Sequence, residues 1–515
     1  MSPLDPDVCY RALLARDARF DGLFFVAVKT TGIYCRPICR ARTPGRDRCL
    51  FFRTAALAEA AGFRSCFRCR PELAPGAAPV DALSRVVAAA ARRIEEGAVS
   101  DGGTLDALAR ELGVSGRHLR RAIRAELGTS PLALVETRRM ALARQLIADT
   151  ALPMTEVAFA AGFRSVRRFN AAVRARYGRP PSAMRRGGRD GAGDGGTLTV
   201  TLGYRPPLDW PAMLAHFAGR AIPGVELVRE GVYWRTASVG GRRGFVAVAV
   251  HPERAALRAT VSTSLAGALP AVVARLRRLF DLDAEPAVIA AHLGRDPQLA
   301  AHVRARPGLR VVGTFDPFEA AARAVLGQQV SLGAARTLAG RLAARFGAPI
   351  ATPVPELGRL FPAAETVGQR PVAELAALGM PSRRAATLQA LARAIARGAL
   401  CFDGVADPAR IVAELAELPG VGPWTAHYLA MRALGWPDAF PEGDLGLRKA
   451  LGGISGPRAR AVAEAWRPWR AYGATHLWAA LGTAREAARG QRTLEANQPG
   501  VRRRSSPSPP APSAP

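Results

Sequence analysis

The spacing of apolar residues changes along the chain and divides it into segments. From 82 to 186 apolar positions recur every three or four residues, the period of short amphipathic helices. TLTVTLGY (197–204) alternates apolar and polar residues as a strand does, and YWRTASV, GFVAVAVH and ALRATVSTSL repeat that period. WPAMLAHFAGRA and ALPAVVARLRRLF return to the helical period, so 197–283 reads as mixed α+β. From about 286 to 489 the pattern is helical again, broken by loops such as FGAPIATPVPELG. APGAAPVD (74–81), RGGRDGAGDGG (186–196) and VRRRSSPSPPAPSAP carry neither period and have little to bury. The pattern predicts a multidomain, mainly α chain with units at 1–75, 82–186, 197–283 and 284–490. It also predicts a linker at 74–81, a flexible linker at 187–196 and a disordered tail at 491–515.

Composition adds a partner class. The chain has 515 residues, too many for one core, and a formal net charge of +30, which favours a polyanion such as nucleic acid. Lys29 and Lys449 are its two lysines; arginine supplies the remaining positive charge. No basic leader followed by an apolar run opens the sequence, and no apolar stretch approaches a membrane span. The expectation is a cytoplasmic, membrane-free, monomeric protein whose thiols stay reduced.

Within 82–186, TLDALARELGVSGRHLRRAIRAELG fits a helix-turn-helix. Gly113 permits the turn, Ser115 caps the second helix, and that helix carries Arg117, His118, Arg120, Arg121 and Arg124. MTEVAFAAGFRSVRRFNAAVRARYG repeats the design with Gly162, Ser165, Arg167, Arg168 and Asn170. A longer helix, about Leu132–Ile147, joins the two, so the pair suits two successive major-groove segments. Each element alone is also compatible with a plain helical hairpin bearing solvated arginines. GFRSVRRFNAAVRARYGRPPSAMRR resembles the AraC-type regulator signature, which implies an all-α double helix-turn-helix on duplex DNA, with RNA polymerase as a candidate partner.

The segment 1–75 holds six of the seven cysteines. Cys35, Cys39, Cys66 and Cys69 form a Cys-x3-Cys pair and a Cys-x2-Cys pair, a spacing that suits one tetrahedral Zn²⁺. An inert structural zinc knot satisfies that spacing as well. DGLFFVAVKTTGIYCRPICRAR and CLFFRTAALAEAAGFRSCFRCRPE resemble the N-terminal domain of the Ada family of methylation-response proteins. That resemblance implies a small α+β zinc domain in which Cys35 accepts a methyl group from a DNA methylphosphotriester. Zinc holds sulfur as the nucleophilic thiolate at neutral pH, and methylating one of four thiolates lowers the negative charge facing DNA. Arg36, Arg40 and Arg42 are candidate phosphate contacts. The Ada pattern is incomplete: no Pro-Cys-His-Arg motif follows, so O6-alkylguanine transfer is not expected.

In the C-terminal half, LPGVG lies between two helical stretches of ELAELPGVGPWTAHYLAMRAL, a helix-hairpin-helix pattern. Gly420, Gly422 and Thr425 are its candidate DNA-binding residues, because backbone amides at such a helix start can meet a phosphate. Asp444 follows in FPEGDLGLRKAL, where it can be a simple helix cap or a working carboxylate. YRPPLDWPAML, RPGLRVVGTFDPFEAAARAVLGQQVS, ALGMPSRRA, LPGVGPWTAHYLAMRALG, DAFPEGDLGLRKAL and EAWRPWRAYGATHLWAAL together resemble the AlkA family, 3-methyladenine DNA glycosylase II, over about 197–490. The resemblance implies an α+β subdomain and an all-α helix-hairpin-helix glycosylase domain. It makes Asp444 catalytic, places Trp424, Tyr428 and Trp478 in an aromatic pocket for alkylated purines, and puts Gln329 in the loop that fills the gap left by a flipped base. Core packing is the alternative role for each aromatic residue. Some relatives hold an ion of unspecified identity on hairpin carbonyls. Bifunctional relatives carry a lysine where this chain has Trp424, so water is the expected nucleophile and strand cleavage is not expected. A regulator whose glycosylase-like half only binds DNA is the alternative reading.

Overall fold

The computed structural model describes residues 4–76, 85–99, 103–185, 196–402 and 407–482. All but Gly196 of the linker expected at 187–196, most of that at 74–81, and the tail at 491–515 lie outside the described residues.

The N-terminal unit is built on a four-stranded sheet. Its strands are β1 (Phe25–Val28), β2 (Ile33–Cys35), β3 (Cys49–Phe52) and β4 (Arg64–Ser65), in the order β3-β1-β2-β4. β1 is antiparallel to β2 and β3, whereas β4 lies parallel to β2 with Tyr34 opposite Ser65. That parallel pair brings the two cysteine pairs together: Cys35 ends β2, and the Cys66 N–H donates to the Tyr34 carbonyl at 2.9 Å.

The helical unit contains both expected turns. Helices Leu105–Glu111 and Gly116–Leu127 flank Gly113, and Met154–Ala160 and Val166–Tyr177 flank Gly162; both glycines have positive φ. Ser115 and Ser165 cap the second helix of each pair through their hydroxyls, each accepting a backbone N–H at 3.2 Å. Helix Pro131–Asp149 joins the pairs and is largely buried.

A second sheet holds β5 (Thr197–Gly203), β6 (Glu226–Arg229), β7 (Val232–Val239), β8 (Arg242–Val250) and β9 (Ala256–Ser262), all antiparallel in the order β5-β9-β8-β7-β6. Helices Trp210–Arg220 and Leu269–Leu279 pack on it. The remainder is helical, with the hairpin formed by Pro408–Ala416 and Pro423–Arg432 and a last described helix over 470–482.

These units share interiors. One apolar cluster runs from Met140, Phe169 and Tyr177 of the helix-turn-helix unit into Val200, Tyr233 and Leu276 of the second sheet and its helix. Arg144 of the joining helix reaches into the cysteine unit: it donates to the Ser65 hydroxyl at 2.6 Å and the Cys66 carbonyl at 2.5 Å, and stacks on Phe67. Arg205, 1% exposed, donates to the carbonyls of Asp21, Gly76 and Asp283 at 3.0, 2.7 and 2.7 Å. The segment at 74–76, expected as linker, is therefore packed where it is described.

Asp281 couples the sheet unit to the last helix. Its carboxylate accepts the Tyr472 hydroxyl at 2.7 Å and the Val311 N–H at 3.3 Å. Burial pushes its pKa up to about 6, against the opposing pull of Arg310 and of those hydrogen bonds. The folded-state value lies above the unfolded one, so stability falls as pH rises between about 4 and 6. A shift of that size is worth on the order of 3 kcal/mol. Asp281 has φ +51°, a conformation that asparagine tolerates. The melting temperature of Asp281→Asn relative to the unaltered chain is therefore expected to climb between pH 4.5 and pH 7; a constant difference would contradict this.

Candidate functional site

The carboxylate of Asp444 is the fixed point of the C-terminal half. It caps helix Leu445–Ala450, with Oδ1 accepting the Leu447 N–H at 2.9 Å. Two indoles also donate to it: Trp478 Nε1 to Oδ1 and Trp424 Nε1 to Oδ2, each at 2.9 Å. Trp424 lies in the first turn of the hairpin's second helix and Trp478 in the helix over 470–482, so three separate elements hold one carboxylate. The sequence reading placed both tryptophans in the pocket and missed this donor role; their Nε1–H groups are its only sequence signal. Trp424 stacks on Tyr428, with ring centroids 5.2 Å apart and planes 15° from parallel.

These residues, with Met213, His216, Arg220 and Leu332, line a cleft of about 750 Å³. Its size suits an extruded nucleotide. Asp444, Trp424, Tyr428 and Trp478 are each partly exposed to it. Gln329 is exposed with φ +53°, between Gly327 and Val330, which line the cleft. Its neighbour Gln328 ties that loop to the hairpin, donating to the Gly420 carbonyl at 2.9 Å and the Thr425 hydroxyl at 3.2 Å. Thr425 is buried, so its side chain faces Gln328 instead of solvent.

The two hairpin glycines differ. Gly420 has φ +83°, and a Cβ there would run into the Thr387 hydroxyl. Gly422 has ordinary φ, is exposed, and would point a Cβ into open space. Gly420→Ala is therefore expected to lower stability by roughly 1–3 kcal/mol. Gly422→Ala is expected to melt normally yet bind duplex DNA several-fold more weakly, because the added methyl blocks phosphate approach to the helix start. Equal melting of the two variants would contradict the distinction.

In the N-terminal unit the four sulfurs of Cys35, Cys39, Cys66 and Cys69 lie within 4.8 Å of one another. A tetrahedral zinc ion with bonds of about 2.3 Å needs sulfurs roughly 3.8 Å apart, so this donor set fits it. Cys39 and Cys66 are buried, whereas Cys35 and Cys69 are partly exposed. The Arg36 N–H donates to Cys69 Sγ and the Arg68 N–H to Cys66 Sγ, both at 3.3 Å. The Ala41 N–H bonds Cys39. Among the described residues no backbone donor is found for Cys35.

Arg36 corrects one expectation. Its guanidinium is buried and paired with Asp21, with Nε to Oδ1 at 2.8 Å, so it is not placed to meet a phosphate. Arg40 and Arg42 are exposed. So are Arg117, Arg120, Arg121, Arg167, Arg168 and Asn170 on the capped second helices; Arg120 pairs with Asp106 at 3.0 Å.

A four-cysteine cluster suited to a metal ion, two helix-turn-helix elements and a helix-hairpin-helix cleft define a DNA-repair protein joined to a regulator. Known families match the same order: the metal binding domain of Ada over 8–72, a helix-turn-helix domain over 108–187, the AlkA N-terminal domain over 199–316, and the HhH-GPD superfamily of base excision DNA repair proteins over 322–470. The chain is 44% identical, over 93% of its length and 97% of the relative's, to a Mycobacterium tuberculosis protein described as a probable bifunctional transcriptional activator/DNA repair enzyme AlkA. It belongs to that family. It is also 37% identical to the Escherichia coli DNA-3-methyladenine glycosylase 2, over 54% of this chain and 96% of that one. With the Escherichia coli bifunctional transcriptional activator/DNA repair enzyme Ada it shares 40% identity over 28% of this chain and 39% of that one. Among the described residues no helix is long and apolar enough to cross a membrane.

Proposed function

We propose that the C-terminal half is a monofunctional DNA glycosylase that hydrolyses the N-glycosidic bond of alkylated purines, of the 3-methyladenine and 7-methylguanine type. The observation that carries this reading is the Asp444 carboxylate, held by Trp424 and Trp478 at the mouth of an aromatic cleft beside a DNA-binding hairpin. Breaking the bond builds positive charge on the deoxyribose, which a fixed carboxylate stabilises while water adds to C1′. The indole donors leave Asp444 little freedom to turn away from the sugar. The faces of Trp424 and Tyr428 bind an electron-poor base, and Gln329 fills the space it vacates. Trp424 occupies the place where a Schiff-base lysine would stand, and Lys449 is exposed on the following helix. Nicking of alkylated duplex should therefore appear only after alkali; prompt nicking would contradict the water mechanism.

The N-terminal unit supplies the second activity. Cys35, Cys39, Cys66 and Cys69 would hold a zinc ion, which when bound would keep their sulfurs as thiolates at neutral pH. Cys35 Sγ attacks the methyl carbon of a DNA methylphosphotriester: an S–C bond forms, the C–O bond breaks, and the phosphate leaves as a diester anion. Exposure favours Cys35 and Cys69, and the N–H on Cys69 weakens its sulfur as a nucleophile. The exposed arginines of the two helix-turn-helix elements then read promoter DNA, so methylated Cys35 becomes a transcriptional signal.

A further inference from the structure

A line of polar contacts joins the cysteine cluster to the helix that carries Trp478. At its near end Arg36 is tied to Cys69 twice: its N–H donates to Cys69 Sγ and its Nη1 to the Cys69 carbonyl, both at 3.3 Å. The same guanidinium pairs with Asp21, so Asp21 follows the position of the cluster. The Asp21 carbonyl accepts Arg205 Nε at 3.0 Å. Arg205 belongs to the glycosylase half, just after β5, and its other two nitrogens donate to the carbonyls of Asp283 and Gly76. Its own carbonyl accepts Arg310 Nη2 at 2.5 Å, and Arg310 Nη1 reaches the Asp281 carbonyl at 3.4 Å. The Asp281 carboxylate accepts the Tyr472 hydroxyl at 2.7 Å. Tyr472 and Trp478 lie in one helix, over 470–482, and the Trp478 indole holds Asp444.

The packing along this line leaves no slack. A Cβ on Gly203, the last residue of β5, would stand 2.0 Å from the Leu73 carbonyl oxygen, and one on Gly22 would stand 2.0 Å from that of Pro75. The Gly76 N–H donates to the Asp283 carboxylate at 2.8 Å, and that carboxylate is paired with Arg277. Burying the Arg205 guanidinium costs free energy, and its planar fork recovers part of it by meeting carbonyls from three separate segments. Such a clamp transmits displacement, because moving one carbonyl disturbs the others. No cysteine is among the residues that line the Asp444 cleft, so any influence of the cluster on base release passes through contacts of this kind.

We propose that Arg205 is a positioning residue for base release, and that through it the reaction depends on metal at the four cysteines. This rests on the glycosylase and metal readings above. With metal bound, Cys69 is fixed, and Arg36 and Asp21 with it. Without metal the sulfurs lose their common partner and the Asp21 carbonyl is no longer held against Arg205. The Asp281–Tyr472 contact then slackens, and Trp478 holds Asp444 less firmly. A chain that has lost its methyl acceptor therefore also slows excision.

The test compares the zinc-loaded full chain with the same chain stripped by a chelator, in two measurements. In hydrogen exchange, the helix over 470–482 should open about five- to a hundredfold more often without metal, while helix Ser382–Ala396 of the same core keeps its protection. In single-turnover release of 3-methyladenine from saturating methylated duplex, the rate should fall by about the same factor and recover when zinc is restored. Arg205→Met should slow release by the loaded chain and remove most of its response to metal, because the link is already cut. Tyr472→Phe should do the same from the far end, and it serves if Arg205→Met does not fold. Metal responses of equal size in the variants and the unaltered chain would overturn the proposal. So would failure to load zinc, exchange at 470–482 that ignores the metal, or exchange that quickens equally in both helices, which is general unfolding. No release of base by the loaded chain would instead remove the glycosylase reading, and the exchange measurement would still decide the link.

Discussion

Cys35→Ala is expected to abolish methyl transfer from methylphosphotriester DNA. The loss should be complete, because among the described residues no other cysteine of the cluster is both partly exposed and free of a backbone N–H on its sulfur. Cys39 and Cys66 are buried, and Cys69 accepts the Arg36 amide. Mass spectrometry of peptides from the full chain should find one methyl group on Cys35 after exposure to such DNA, and none on any cysteine of the variant. Cys401→Ala should leave the reaction intact, since that thiol lies far along the sequence at the Gly398 carbonyl, outside the cluster. A methyl group on Cys69 in either protein would move the nucleophile within the same cluster and refute the assignment.

Asp444→Asn is expected to slow base release on the order of 10²- to 10³-fold while costing less stability than Asp444→Ala. Asparagine caps a helix as well as aspartate does, and its one carbonyl oxygen can still accept the Leu447 and Trp478 N–H groups, leaving only the Trp424 indole without its acceptor. What it lacks is the negative charge that offsets the developing positive sugar. Asp444→Ala differs in a second way. It removes the cap and leaves the Trp424 and Trp478 indole N–H groups without their acceptor, a loss of about 2–4 kcal/mol in total. The pair of variants separates chemistry from scaffolding: melting should distinguish them, whereas base release should be low in both. Equal stability in the two would show that the indole bonds contribute little.

Much of this architecture was legible because it is periodic or local. Alternation marked β5, β7, β8 and β9; serine caps and turn glycines marked both helix-turn-helix elements; spacing marked the cysteine cluster. Short β6 (Glu226–Arg229) escaped, since four residues with two charges carry no clear alternation. The harder cases all depend on distant partners. Arg36 looks like a free charge beside Cys35, and only Asp21, fifteen residues earlier, makes it a buried ion pair. Trp424 and Trp478 read as aromatic surface, and only the fold turns their Nε1–H groups on one carboxylate. The apolar stripe of helix Pro131–Asp149 does not announce that part of its cover is a sheet beginning at Thr197, after a glycine-rich stretch.

The most direct test of the central claim is the release of free 3-methyladenine from methylated duplex DNA by the intact chain and by Asp444→Asn, followed by chromatography of the liberated base. The account predicts steady release by the intact chain, abasic strands that break only on alkaline treatment, and a rate at least about a hundredfold lower in the variant. Release at equal rates by the two proteins, or no release by the intact chain, would contradict it.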